Sequence, residues 1–390
     1  MQTVKVNRKA ADRIASGHPW IFTSDVTDRG EAQPGDAVLV SDGRGRLLGT
    51  FHYSSASQIT LRQLSSREEQ IDDDFFHRRI EAALRHRSAV VSNSDAFRLV
   101  FGEADFLPAL VVDRYGDYLT VQTLSQGMDR AKSTIVDVLS ALLSPAAIVE
   151  RNDVSVRRLE SLPLQTAVIS GAVSGPVEIR MNGLNWSVDL LGGQKTGIYL
   201  DQRENYIAAS RWAALPANRS ALDCFTSTGG FALHLARVCD RVEAVDSSAH
   251  ALETARCNAA RNGIENIHWR EADAFDLLAG YTQSGRKFGI VVLDPPAFAK
   301  SRSALEGAVR GYRDINYRAL RLLDRDGVLI TCSCSHHFSE ALMLETIASA
   351  ALDAGRTVRV LERRMQAADH PVLLTVPETL YLKCLVLQVS

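Results

Sequence analysis

The sequence predicts an α/β protein in three parts: a C-terminal doubly wound parallel sheet, preceded by a small β-rich module and a middle α+β domain. Three observations carry this. From Ala221 onward, short apolar runs alternate with amphipathic stretches in a strand–helix–strand rhythm. Near the start, Pro34-Gly35-Asp36 opens a strand and Asp42-Gly43 turns it back into a second from Leu47, which is a hairpin signal. Residues 97 to about 190 read as strand, strand, helix, strand, strand. The divisions fall at 1–70, 71–190 and 191–390.

The 390 residues suffice for two or three cores, and a net charge of −2 gives no global basic field for nucleic acid. No apolar run has the length to cross a bilayer, so no membrane partner is expected. Residues 1–13, MQTVKVNRKAADR, lack the apolar stretch of a signal peptide. All 6 cysteines follow residue 220 and are scattered, which suits reduced thiols and a cytoplasmic setting.

In the first part, cations mix with His18, Trp20 and Phe22, a composition that could hold RNA or simply make a solvated face with Trp20 in the core. A helix follows from Asp72 to about Ser88, with Phe75, Phe76, Ile80, Ala83 and Leu84 on one stripe and Arg78, Arg79, Arg85, His86 and Arg87 on the rest. The middle domain carries strands at Phe97–Val100, Ala109–Val112, Tyr118–Thr123, Ala147–Arg151, Val177–Met181 and Leu184–Leu190, and a helix at Ala131–Leu143. It shows no chemistry of its own; it is a candidate homodimer surface or a spacer.

In the last part, strands are expected at Ala221–Phe225, Val242–Asp246, Ile267–Glu271, Gly289–Asp294, Val328–Thr331, Thr357–Leu361 and Leu382–Val389. Helices are expected at Phe231–Val238, Ala249–Asn262, Asp314–Leu323 and Glu340–Ala354. Ligands of such sheets bind outside the carboxyl ends of the strands. Those ends carry acids. Asp223 precedes the turn Thr226-Ser227-Thr228-Gly229-Gly230, where backbone N–H groups and a helix start can approach a ligand. Asp246 lies where a carboxylate takes ribose hydroxyls. Asp273 follows the third strand, near an adenine amine, and Asp294 stands before two prolines that force the chain off the sheet. The glycine pattern is not G-x-G-x-x-G, so a pyrophosphate cradle for a nicotinamide cofactor is poorly supported.

Acids at four successive strand ends, without the dinucleotide glycines, resemble the class I S-adenosylmethionine-dependent methyltransferases over about residues 190 to 390. With GGQKTGIYLDQRENY (residues 192–206), DCFTSTGG, DPPAF, RGYRDIN, LITCSCS and AADHPV…PETLYLK, the whole chain closely resembles the bacterial large-subunit ribosomal RNA cytosine-5 methyltransferases. The resemblance implies an N-terminal PUA domain (a small RNA-binding β-barrel), a middle α+β domain and a Rossmann-like methyltransferase domain. It implies S-adenosylmethionine as cofactor, S-adenosylhomocysteine as product and ribosomal RNA as partner. By the same resemblance Gln194, Lys195, Thr196, Asp201 and Arg203 line the cofactor site. Asp223, Phe225 and Gly229 sit against the methionine part, Asp246 with Ser247 on the ribose, and Asp273 with Ala274 near the adenine. Asp294 faces both the methyl group and the target base.

C5 of cytosine is a poor nucleophile, and a thiolate added at C6 makes C5 enamine-like. The chemistry needs a cysteine beside the cofactor and an acid near N3/N4 of the base. The family's cysteine lies in an S-C-S motif, here Ser333-Cys334-Ser335, so the resemblance assigns Cys334 as nucleophile and Asp294 as the acid. Strand alternation puts Cys332 and Cys334 on one face. Cys332 reads as a buried filler; His336 and His337 are candidate bases, or with the two cysteines a zinc set, although their spacing is unlike the usual one. Phe298, Lys300, Arg302, Arg310, Tyr312 and Arg313 follow the fourth strand, where an extruded base would need stacking and phosphate contacts; Phe298, Arg310 and Tyr312 are the substrate candidates, against a plain solvated helix face. The competing functions are methylation of another base position (a guanine nitrogen or an exocyclic amine, for which DPPAF also suits), a nicotinamide oxidoreductase, and a non-catalytic RNA-binding assembly factor.

Overall fold

The computed structural model describes residues 1–193, 196–299 and 301–390. Contacts divide the chain into two compact units: Met1–Met181 with Val188–Ile198 and Ala368–Thr379, and Asn182–Ser187 with Tyr199–Ala367 and Leu380–Ser390.

The first unit contains two sheets. One is six-stranded and mixed, and includes the expected hairpin, Ala37–Asp42 paired antiparallel with Leu47–Tyr53. Val4, Val6, Ile21, Val38, Val40, Phe51 and Leu61 fill its core. Trp20 is half-buried rather than in that core, because its indole Nε1 donates to Glu103 Oε1 at 3.0 Å. The other sheet has five strands, Ala96–Phe101, Leu110–Tyr115, Tyr118–Thr123, Ala147–Asn152 and Gln165–Gly171, hydrogen-bonded in that sequence. The last of these escapes sequence reading because it is an edge strand with most residues exposed, so no apolar alternation marks it.

The helix Asp73–Val90 starts where Asp72 accepts the Phe75 N–H at 3.0 Å, and it buries Phe75, Phe76, Ile80 and Ala83 against the second sheet. Its arginines are not one solvated face. Arg78 and Arg85 pair with Glu69 and Glu81, but Arg87 is wholly buried. Its guanidinium takes both oxygens of Asp105, at 2.5 and 2.7 Å, and donates to the carbonyls of Arg98 and Asp369, each at 2.8 Å. Asp369 Oδ2 in turn accepts the Arg98 N–H at 2.8 Å, and His370 packs its ring 5.3 Å from Phe101. Asp369-His370-Pro371 therefore anchors the segment Ala368–Thr379 in the first unit, a role that sequence reading did not supply.

The second unit is built on a seven-stranded sheet. Its strands are β1 (Ser220–Cys224), β2 (Arg241–Asp246), β3 (Ile267–Glu271), β4 (Phe288–Leu293), β5 (Leu323–Ser333), β6 (Val358–Arg364) and β7 (Lys383–Val389), in the order β3-β2-β1-β4-β5-β7-β6. The first five are parallel; β7 runs antiparallel between β5 and β6. The sheet is thus not parallel throughout, as the sequence had suggested. Among the described residues six α-helices accompany it: α1 (Arg203–Ala213), α2 (Gly230–Ala236), α3 (Ala249–Arg261), α4 (Ala274–Ser284), α5 (Leu305–Leu322) and α6 (Glu340–Asp353). Asp273 caps α4 by accepting from Phe275 and Asp276, and Gly285 ends it at φ +70°. Helix α5 begins nine residues before the expected Asp314, because its first half is rich in small residues and shows little apolar period. Leu222, Val291, Leu293, Leu329 and Leu385 of the sheet pack with Leu278, Ile315, Leu320 and Ile347 of the helices.

Removing the acid of the buried pair leaves an uncompensated guanidinium, which typically costs about 3–5 kcal/mol. Asp105→Asn is expected to lower unfolding stability by about that amount, as read by urea titration; a loss under about 1 kcal/mol would mean that water reaches Arg87.

Candidate active site

The parallel strands of the second unit bring their carboxyl ends to one edge, and the chain leaves each end differently. After β1 it turns at once: Phe225 at φ +66° and Ser227 at φ +50° adopt the left-handed region, followed by Gly229 at +91°. Two non-glycine residues held there are strain of the kind that gathers at functional turns. Gly230 is required for packing, since a Cβ on it would come within 2.4 Å of the Tyr206 ring. Tyr206, so seated, donates its hydroxyl to the Tyr199 carbonyl at 3.3 Å.

Asp223 is fully buried at the end of β1. Its Oδ2 accepts the Thr226 hydroxyl at 2.6 Å, and its Oδ1 has no hydrogen-bond partner among the described residues. Burial, with the nearby charges of Asp294 and Asp246, pushes its pKa up to about 8 against the Thr226 hydrogen bond. Asp246 is half-buried and accepts N–H groups from Ser227 and Ser248, each at 2.9 Å, while Ser247 is exposed. Asp273 is exposed and Ala274 buried. Asp294 is half-buried and accepts Gln202 Nε2 at 3.0 Å; Gln202 Oε1 accepts Asn205 Nδ2 at 2.6 Å, which fixes the orientation of that amide. Asp201 is buried and accepts the Tyr381 hydroxyl at 2.7 Å. Arg203 is buried, with Nη2 3.5 Å from Glu204.

Tyr199 reports how these groups converge. Its phenol pKa is driven well up by burial first, then by the charges of Asp294, Asp201, Cys334 and Asp246. Three carboxylates and a thiol therefore act on one hydroxyl, and Asp223 feels two of the same acids. Such a field repels a pyrophosphate and favours a cation. A sulfonium cofactor with an ammonium group fits such a field.

The thiol lies beside this group. Strand β5 ends at Ser333, between Cys332 and Cys334, and the two thiols differ in exposure. Cys332 is fully buried opposite Cys384 across the β5–β7 pair, whereas Cys334, just past the strand, is half-exposed. Burial raises the Cys332 thiol far above its ordinary value, so it packs as a small apolar residue. His336 and His337 are exposed. Among the described residues no three His, Cys, Asp or Glu side chains are grouped to hold a metal.

Of the substrate candidates, Tyr312 is placed against expectation. It is 1% exposed, stacked on Phe338 at 4.4 Å, and its hydroxyl bridges Ser333 Oγ at 2.9 Å and Ser335 Oγ at 3.0 Å. No ring face is left for a base; it braces the turn that carries Cys334. Phe298 and Arg310 instead line an open groove with Phe275 and Gly311. Thr196 falls in the first unit, where its hydroxyl meets Asp113 Oδ2 at 2.5 Å. Gln194, Lys195 and Lys300 lie outside the described residues. Sequence reading missed Tyr199, Gln202, Asn205 and Lys383; the first three lie inside the GGQKTGIYLDQRENY stretch, whose density of polar residues was the available signal.

A cation-favouring acid cluster on this edge, beside a half-exposed thiol, fits a methyltransferase domain, and the comparisons agree. The methyltransferase domain family matches residues 216–365, and the PUA-like domain family matches residues 4–66. A Shewanella amazonensis protein named ribosomal RNA large subunit methyltransferase I is 43% identical over 380 residues, covering 95% of each chain. The chain belongs to this family of large-subunit ribosomal RNA methyltransferases, whose methyl donor is S-adenosylmethionine. The fold is shared with a Streptococcus mutans protein assigned as a SAM-dependent methyltransferase (TM-score 0.83, 18% identity, all of both chains covered). It is shared also with a protein assigned as a methyltransferase and crystallised with S-adenosylhomocysteine, at TM-score 0.85 and 18% identity over all of both chains. No described helix is long and apolar enough to cross a membrane.

Asp223 binds its proton more tightly folded than unfolded, so between about pH 4 and pH 8 it makes stability fall as pH rises, with the penalty complete above about 8. Asp223→Asn removes that slope. Without cofactor, the variant's melting temperature should gain on the wild type steadily from pH 5 to pH 8, and added S-adenosylmethionine should no longer raise it. A gap independent of pH, or an undiminished cofactor shift, would contradict this assignment.

Proposed function

We propose that the protein methylates C5 of a cytosine in large-subunit ribosomal RNA, in the cytoplasm, through a transient bond between Cys334 and C6 of the base. The observation that carries the reading is a half-exposed thiol that, like Asp294, lies within electrostatic reach of the Tyr199 hydroxyl. S-adenosylmethionine supplies an electrophilic methyl group when bound. Asp201, Asp223, Asp246 and Asp273 are the residues of this chain that would hold it, with Gly229 and Phe225 shaping the turn beneath.

Cys334 as thiolate gives an electron pair to C6, and the C5=C6 π pair moves to C5, which becomes the carbon that accepts the methyl group. Asp294, steadied by Gln202, holds the N3/N4 edge of the base as charge develops there. Loss of the C5 proton returns a pair to the ring, restores C5=C6 and expels Cys334 as thiolate. Phe298 and Arg310, in the groove with Phe275, suit a base and its phosphate. The PUA-like module would grip RNA elsewhere.

The double-proline element Asp294-Pro295-Pro296 also suits methylation of an exocyclic amine, which needs no thiol. Incubation with methyl-labelled cofactor and unmodified large-subunit RNA, followed by nucleoside mass analysis, separates the two. The wild type is expected to yield 5-methylcytidine, and Cys334→Ala to lose at least about a thousandfold in rate, in line with the loss of a covalent nucleophile. A methylated guanosine or adenosine, or a Cys334→Ala enzyme of near-normal rate, would overturn the C5 reading.

A further inference from the structure

Lys383 is the first residue of β7 and stands directly opposite Ser333, the last residue of β5. Its side chain is buried, yet no carboxylate among the described residues lies within ion-pair distance of it. Nζ donates to the Ser335 carbonyl at 2.7 Å and the Tyr381 carbonyl at 3.0 Å, which accounts for two of its three N–H groups. A buried ammonium without an acid is costly, and carbonyl oxygens offset only part of that cost.

The placement gives the charge a use. Ser335 follows Cys334 immediately, and its oxygens are held from three sides: its carbonyl by Lys383, its hydroxyl by Tyr312 from α5, and the same hydroxyl by the Ala299 N–H at 3.2 Å. Cys334 is thus the half-exposed residue of a turn whose neighbours Ser333 and Ser335 are fully buried. The charged groups that bear on Lys383 are Cys334 and, from the start of α6, Glu340. Cys334 also faces the hydroxyls of Tyr312 and Tyr199, both with pKa raised chiefly by burial, and it shares the Tyr199 hydroxyl with Asp294, whose negative charge opposes a thiolate and is what the ammonium must offset.

We propose that Lys383 is a positioning residue for the reaction: it fixes the Ser333–Ser335 turn, and its ammonium stabilises Cys334 as the thiolate. This rests on the reading of Cys334 as nucleophile. Burial brings the Lys383 pKa down to about 8, against the pull of Cys334 and Glu340, so the ammonium is present at neutral pH and a thiolate beside it keeps it so. Below that value the thiolate has a counter-charge that water alone does not give.

The test is the pH profile of Cys334 alkylation by iodoacetamide, read by peptide mass analysis in the full-length protein. The exposed Cys257 serves as internal reference. In the wild type the Cys334 midpoint should lie below the ordinary thiol value of about 8.5. Lys383→Met should move it up by about one unit or more, an approximately tenfold drop in labelling at pH 7, and Lys383→Arg should restore most of it, with Cys257 unmoved throughout. Methyl transfer at pH 7 should fall in parallel and partly recover at higher pH. A wild-type midpoint at or above about 8.5 overturns the proposal even if Lys383→Met fails to fold, and so does a folded Lys383→Met protein with an unchanged midpoint. Should the shift appear while the wild type makes no 5-methylcytidine, the C5 reading fails and the ammonium–thiolate coupling stands.

Discussion

Like charges repel, and the second unit nevertheless gathers carboxylates at one edge of its sheet. Asp294 and Asp246 both raise the pKa of Asp223, and Asp294, Asp201 and Asp246 all raise that of Tyr199. Strand order produces this: β1 lies between β2 and β4, so Asp223, Asp246 at the end of β2 and Asp294 just past β4 emerge side by side. Nothing in packing requires such a cluster, and folding proceeds in spite of it. A ligand bearing positive charge would turn the arrangement from unfavourable to favourable, and a sulfonium cofactor suits such an edge where a dinucleotide does not.

The second constraint is where β5 stops. Two cysteines two residues apart differ in exposure, and hydrogen bonding to β7 ends between them, at Ser333. Cys332 stays in the ladder opposite Cys384 and is sealed in; Cys334 is released to the edge. Tyr312 and Lys383, from α5 and β7, hold the freed turn by its hydroxyls and its carbonyl. The proposed nucleophile would need access and a rigid mount together, and this segment combines the two.

Much of this was legible in the chain because it depends on neighbours in sequence. The acids after each strand, the Gly-rich turn after Asp223 and the hairpin at Asp42-Gly43 are local signals, and the structure has them in those places. Elements that depend on distant partners were not legible. Gln202 matters because it meets Asp294 across 92 residues, Asn205 because it orients the Gln202 amide, and Lys383 because β7 inserts antiparallel beside β5. Tyr312 looked like a free aromatic among cations, and only the packing of Phe338 and two serine hydroxyls around it reveals a brace. Helix α4 was missed although both its caps, Asp273 and Gly285, are plain in the sequence.

A covalent link between Cys334 and a cytosine is the claim on which the account turns, and it can be trapped. In RNA whose cytidines carry fluorine at C5 there is no proton to lose after methyl transfer, so the thiol cannot leave. Incubating the wild-type protein with such RNA and S-adenosylmethionine should give a complex stable to denaturant, with the nucleotide attached to Cys334 on peptide mass analysis and absent without cofactor. Methyl transfer to natural RNA with no such complex on the fluorinated one, or attachment at any other residue, would contradict it.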